Sequence, residues 1–288
     1  MVTQLLLNGV IAASSYALVG LGFWLVYATS RFFNFSHGAV IAFGAYAALA
    51  LTRHAHCPVA LAVAGSILLS GGVGVLIDRC IYRPIRVRRG PPLVLLLASL
   101  GLYVVLQNAI SLVFGDSIQS IAVGPVTTGH LLFTARVTSV QVITIALSAV
   151  SFGLLVVLMH CTRWGICARA VAGNPELAQT TGVDPHRVIA WAFALGSALG
   201  GLAGCMAGLD VGMVPTMGSG ALLMGIVAVV VGGTRRVAGV AVGALLLGLV
   251  RQLSVLGMGS EWQDAIAFVV LAAFLLVRPE GFVGPQGA

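Results

Sequence analysis

From Met1 to Ser30 the chain carries no Asp, Glu, Lys or Arg side chain. A helix needs only about 20 apolar residues to cross the hydrocarbon core of a bilayer, with a range of about 17–25. The same pattern recurs along the sequence. Charge-free windows fall at Leu5–Ala28, Gly38–Thr52, Pro58–Ile77, Leu93–Phe114, Val140–His160, Val188–Leu209, Ala221–Gly233, Val237–Val250 and Ala265–Val277, and short segments between them hold the charge. Gly38–Thr52, Ala221–Gly233, Val237–Val250 and Ala265–Val277 are short for a span, so the pattern supports eight or nine crossings. Only 8% of residues are charged and 59% are hydrophobic. A soluble domain carries about 25% charged residues, and a chain this poor in polar side chains cannot cover a water-facing surface with them. The expected fold is therefore all-α: a polytopic helical bundle in a membrane. Soluble enzymes, nucleic-acid binders and secreted disulfide scaffolds are excluded.

All fifteen basic residues are arginine. Their placement gives the orientation, because loops kept in the cytoplasm are enriched in Lys and Arg. The segment Asp78–Pro92 holds Arg79, Arg83, Arg86, Arg88 and Arg89 and is placed inside. Alternating outward from it puts Arg31, Arg163, Arg169, Arg187, Arg235, Arg236 and Arg278 inside too, and leaves Arg53, Arg136 and Arg251 outside, a division of 12 to 3. The N-terminus is then out and the C-terminus in. The net charge of +7 records this sidedness rather than a nucleic-acid partner.

Without lysine there is no P-loop of the kind whose lysine reaches nucleotide phosphates and no amine for Schiff-base chemistry. Cys57, Cys80, Cys161, Cys167 and Cys205 form no CxxC pair and no zinc-like spacing, so no metal site or disulfide framework is expected. The spans contain no HExxH, no GxSxG and no pair of aspartates to supply catalysis. No catalytic residue and no cofactor is expected. The first span lacks the basic leader of a signal peptide and is expected to be retained. No loop is long enough for a second domain, and residues 1–288 are expected to form a single membrane domain.

The windows also lack intramembrane charge, on which ion-coupled carriers and pumps depend. A chain that moves a solute without it is either a passive channel or is driven by a partner. Polar residues inside the windows include Asn8, Ser14, Ser15, Gln107, Asn108, Ser148, Ser151 and Ser197. They fit a polar translocation path or interhelical hydrogen bonding, worth about 0.6 kcal/mol on average. The runs Gly196–Gly208 and Gly239–Gly248 have the small-residue spacing that lets helix backbones approach closely.

The most informative loop is Cys161–Arg187. Asn174 is a good N-cap, Pro175 suits the first helical position, and Glu176 complements the positive helix end. Gly182 is a natural left-handed stop. These signals predict a helix over Pro175–Thr181, about 10 Å long at 1.5 Å per residue. Asp184-Pro185 repeats the start signal for the next span. So short a helix is unstable alone in water and must dock, either on its own bundle or lipid surface or on a cytoplasmic partner.

At this loop, RAVAGNPELAQTTGVDPHRVIAWAFALGSALGGLAG resembles the coupling-loop region of branched-chain amino acid ABC transporter permeases of the LivH type. RFFNFSHGAVIAFGAY is similar to the segment that opens the family's second helix. ALLMGIVAVVVGGTRRVAGVAVGALLLG is similar to its glycine-rich penultimate region, and LLVRPEGFVG to its C-terminal tail. The chain departs from the family at Thr234-Arg235-Arg236, which follows Gly233 where the family's turn is usually richer in glycine. The resemblance implies a multi-pass permease of the bacterial inner membrane, paired with a second, related permease as a heterodimer. It implies two cytoplasmic ABC ATPase subunits and a periplasmic substrate-binding protein as further partners. It carries Glu176, Leu177, Ala178 and Gly182, on the helix opened by Asn174 and Pro175, to the ATPase contact. It also brings Asn34, Ser36, His37 and Gly38 near the pathway. The expected solutes are branched-chain amino acids. Urea, short amides or other amino acids are the alternative within the family, and a passive channel is the alternative outside it. His37 is expected either to meet a zwitterionic solute or to reach the interface or a neighbouring carbonyl.

Overall fold

A computed structural model describes residues 2–121, 130–132, 135–278 and 281–282. Every apolar window of the sequence lands on its own helix. These are α1 (Val2–Ser30), α2 (Ser36–Arg53), α3 (Val59–Ile77), α5 (Pro92–Phe114), α6 (Ser139–Cys161), α9 (Pro185–Val211), α10 (Met217–Gly232), α11 (Val237–Leu253) and α13 (Gln263–Val277). A π-helical turn, Asp78–Tyr82, carries α3 on into α4 (Arg83–Val87). The short α12 (Val255–Met258) precedes α13.

Among the described residues, seven helical segments are long and apolar enough to cross a membrane by length and composition. α2, with 18 residues, is buried in the bundle, and the shorter apolar α10, with 16, packs against it. One stretch of the resemblance falls partly outside the described residues, at Pro279, Glu280, Val283 and Gly284 of the tail.

Hydrogen bonds between distant segments sort the connections into two ends. At one end, Trp24 Nε1 donates to the Thr234 carbonyl (2.8 Å), Arg31 reaches Ala172, and the Phe282 amide donates to Val231 (3.0 Å). At the other end, Gln4 Nε2 donates to the Arg136 carbonyl (3.1 Å), the Gln119 amide donates to Met213 (2.9 Å), and Arg251 pairs with Asp264. The arginine-rich segment after α3 thus shares its end with the 161–187 loop. The arginines that the charge pattern sets apart lie at the opposite end. There a small antiparallel hairpin joins β1 (His130–Leu132) to β2 (Ala135–Val137).

The bundle is built around α2, which is buried almost from end to end between α3, α5, α9 and α10. Small residues make this possible, since close backbone approach drives helix packing in lipid, where no hydrophobic force separates protein from solvent. A Cβ on Gly44 would stand 2.6 Å from the Gly201 carbonyl of α9, and one on Gly196 would stand 2.7 Å from the Gly22 carbonyl of α1. The glycine runs that read as packing faces are used as such. α5 and α13 lie at the periphery and turn Leu97, Val105, Leu112, Val269 and Leu276 outward.

The loop over 161–187 differs from expectation in two ways. It contains a further helix, α7 (Arg163–Gly173), before the short α8 (Pro175–Thr180). α8 also ends one residue sooner than its stop signal suggested, because Thr181 has already left the helical region at φ −89° and ψ 9°.

Candidate functional site

The loop is assembled from local caps. Thr162 accepts a hydrogen bond from the Gly165 amide (3.1 Å) and starts α7, whose buried face is Gly165, Ala168 and Val171. Asn174 closes α7 by donating its amide to the Ala170 carbonyl (3.0 Å). Its side-chain Oδ1 then accepts from the amides of Glu176 (3.0 Å) and Leu177 (3.1 Å) and opens α8. Two otherwise unpaired donors of the first turn are satisfied in this way. Gly182, at φ +87°, takes the left-handed turn that ends α8, and Asp184 caps α9 through the His186 amide (2.9 Å).

α8 divides its short surface in two. Ala178 is 4% exposed and faces the bundle, whereas Leu177 is 64% exposed. Pro175, Glu176 and Gln179 are exposed with it. The helix therefore docks inward through one small residue and presents a large apolar side chain beside a carboxylate to whatever lies beyond. A buried methyl and an exposed isobutyl group are the reverse of what a helix settled only on its own bundle would show.

The second group of expected residues lies at the start of α2. Asn34 Oδ1 accepts from Ser36 Oγ (2.8 Å) and from the Tyr82 hydroxyl (2.9 Å), and Ser36 Oγ stands 2.8 Å from that hydroxyl. All three side chains are buried. Tyr82 belongs to the π-helical turn and packs on Phe32 and Phe193, with ring centroids 5.0 and 5.4 Å away. Gly38 lies backbone to backbone against Gly218 of α10. His37 neither reaches an interface nor bonds a carbonyl. It is fully buried between Gly22 and Gly200, and neither ring nitrogen has a hydrogen-bond partner among the described residues.

Gln107 and Asn108 lie elsewhere, on the outer part of α5. Gln107 is half-buried, and Asn108 is exposed and donates back to the Val104 carbonyl of its own helix (2.8 Å). The structure thus gathers Asn34, Ser36, His37 and Gly38 inside the bundle and leaves Gln107 and Asn108 on its surface.

Sequence reasoning did not find Tyr82, nor the ion pair whose two members lie four residues to either side of it. There Arg86 Nη2 stands 2.6 Å from Asp78 Oδ1, with Asp78 fully buried. It also missed Arg31, whose guanidinium donates to the Ala172 carbonyl at the end of α7 through Nε (3.1 Å) and Nη2. The one signal available was Asp78 itself, the only acid within the arginine-rich segment.

The model of a family described as the permease component of branched-chain amino acid transport systems matches residues 5–275. The chain is 31% identical to the high-affinity branched-chain amino acid transport system permease protein LivH of Escherichia coli, over 98% of this chain and 95% of that protein. It is 30% identical to the corresponding permease protein BraD of Pseudomonas aeruginosa over the same shares. A shorter similarity, 32% over 42% of this chain and 40% of the relative, links it to the ribose import permease protein RbsC of Escherichia coli. No solved structure matches the chain.

Proposed function

The chain belongs to the branched-chain amino acid transport permeases, multi-pass proteins of the bacterial inner membrane, and from that premise we propose that it is one permease half of an ATP-driven importer for branched-chain amino acids. Such permeases are transport subunits rather than enzymes and work with ATPases and solute-binding proteins. In this reading residues 1–288 form one membrane domain. A second, related permease completes a heterodimer, two cytoplasmic ABC ATPases drive it, and a periplasmic binding protein delivers the solute. The arginine-rich end faces the cytoplasm. The chain itself has no lysine with which to build a Walker site.

The observation that carries the reading is the two-sided α8, with Ala178 inward and Leu177 and Glu176 outward at the arginine-rich end. A passive channel has no use for a capped helix of six residues that shows its apolar side chain to the solvent. We assign Asn174, Pro175 and Gly182 to shaping this helix, Leu177 and Glu176 to the ATPase surface, and Ala178 to the seat beneath them.

Gln107 and Asn108 support a polar lining on the second-permease side. An amide left facing hydrocarbon costs several kcal/mol, roughly, so the outer face of α5 suits a position against a partner or a wet pathway. Asn34, Ser36, His37 and Gly38 are assigned to the same pathway indirectly, as the residues that set the position of α2 behind it.

Co-purification tests the proposal. The tagged chain, extracted in mild detergent from its native membrane, should bring down a stoichiometric Walker-type ATPase and a second multi-spanning permease. Glu176→Arg should lose the ATPase and keep the permease. A chain that purifies alone and conducts solute without ATP contradicts the reading.

A further inference from the structure

The connection between α1 and α2 is held from both sides. Its first residue, Arg31, sits in the left-handed region at φ +57°, an arrangement uncommon for a residue with a side chain. From there its guanidinium grips the Ala172 carbonyl with two donors. That carbonyl belongs to the last turn of α7, where main-chain oxygens lack helical partners and a cation is favoured by the helix dipole. Asn174, which opens α8, lies two residues further on. Three residues after Arg31, Asn34 is tied to Tyr82, and Ser36 completes that buried triangle at the first residue of α2. Thus α8 meets the central helix through a five-residue connection, 31–35, with one side chain at its loop end and a closed hydrogen-bond network at its α2 end.

Resting on the coupling role given to α8 above, we propose that Arg31 is a positioning residue that passes the displacement of the 161–187 loop to the start of α2. The alternative route through α9 moves a helix whose glycine face is already locked against α1, α2 and α3. The route through Arg31 moves α2 from its own end. Interfaces packed this closely respond by switching between discrete arrangements rather than by gradual deformation.

The test uses the complete importer in proteoliposomes, with solute uptake and ATP hydrolysis read on the same samples. Arg31→Met keeps the side-chain stem and removes every donor. The expected result is an ATPase that still co-purifies in the wild-type ratio and still hydrolyses ATP, while uptake per ATP falls roughly tenfold, within the 5–150-fold range of ordinary coupling energies. Arg31→Lys retains one cationic donor and should give an intermediate ratio. It also serves as the reading if Arg31→Met does not accumulate in the membrane. An unchanged ratio of uptake to hydrolysis in either variant overturns the proposal. Loss of the ATPase from the Arg31→Met complex overturns it as well, because it places Arg31 in docking. Retention of the ATPase by Glu176→Arg is a separate result, and it removes the coupling reading on which the proposal rests.

Discussion

The imidazole of His37 lies so close to Gly200 that a Cβ at that glycine would stand 2.9 Å from its Cε1 and 3.0 Å from its Nε2. Gly22, on the opposite side, would place a Cβ 3.0 Å from the same nitrogen. The ring is thus the spacer between α1, α2 and α9. Gly200→Ala should overpack this site and cost about 1–3 kcal/mol. Thermal unfolding in detergent should show a lowered midpoint. Gly220→Ala, inside α10 where nothing lies within 4 Å, should leave the midpoint no lower.

Tyr82→Phe removes the hydroxyl shared by Asn34 and Ser36 while keeping the ring between Phe32 and Phe193. Asn34 Oδ1 keeps the Ser36 donor in that variant and keeps the Tyr82 donor in Ser36→Ala, so each single change should cost about 0.5–1.5 kcal/mol, the net worth of one hydrogen bond. Tyr82→Phe with Ser36→Ala leaves the buried acceptor without either donor and should cost more than the two singles summed. Thermal midpoints of the three variants, measured on the purified chain, check the network.

Asp78→Asn leaves Arg86 without its counter-charge at a position where its side chain is only 13% exposed. Breaking one partner of a buried pair costs about 3–5 kcal/mol, whereas replacing both by apolar groups is often near neutral. Asp78→Asn should therefore accumulate poorly, and Asp78→Leu with Arg86→Met should recover much of the loss. Membrane yield and thermal midpoint read the difference.

Asn174→Ala removes both bonds that open α8 and should cost that helix about 1 kcal/mol, while Asn174→Asp or Asn174→Ser should preserve it. A helix of six residues has little to spare. The expected readout is weaker ATPase co-purification for Asn174→Ala with an unchanged fold of the membrane helices by circular dichroism.

The nine apolar windows were legible because charge is confined to the connections, a constraint that the bilayer imposes on every span. α8 was legible for a different reason: Asn174, Pro175 and Gly182 are local signals whose effect needs no tertiary contact. α7 was not, since its buried face is made of Gly165, Ala168 and Val171, which are too small to stand out as an apolar stripe. The Tyr82–Asn34 bond spans 48 positions, and the Asp78–Arg86 pair spans eight across a π-helical turn, a spacing that no regular helix face predicts. His37 was expected to meet a solute, or else to reach the interface or a neighbouring carbonyl. It is buried because glycines from two distant helices make room for it, and no reading of α2 alone reveals them.

Uptake of labelled leucine into proteoliposomes tests the central claim most directly. The chain is reconstituted with its co-purifying permease and ATPases, with ATP inside and the binding protein outside. The account predicts accumulation against the gradient that requires both ATP and binding protein, and that is lost in Leu177→Asp while the helical fold is kept. Downhill leucine flux that needs neither, and that Leu177→Asp leaves unchanged, would contradict it.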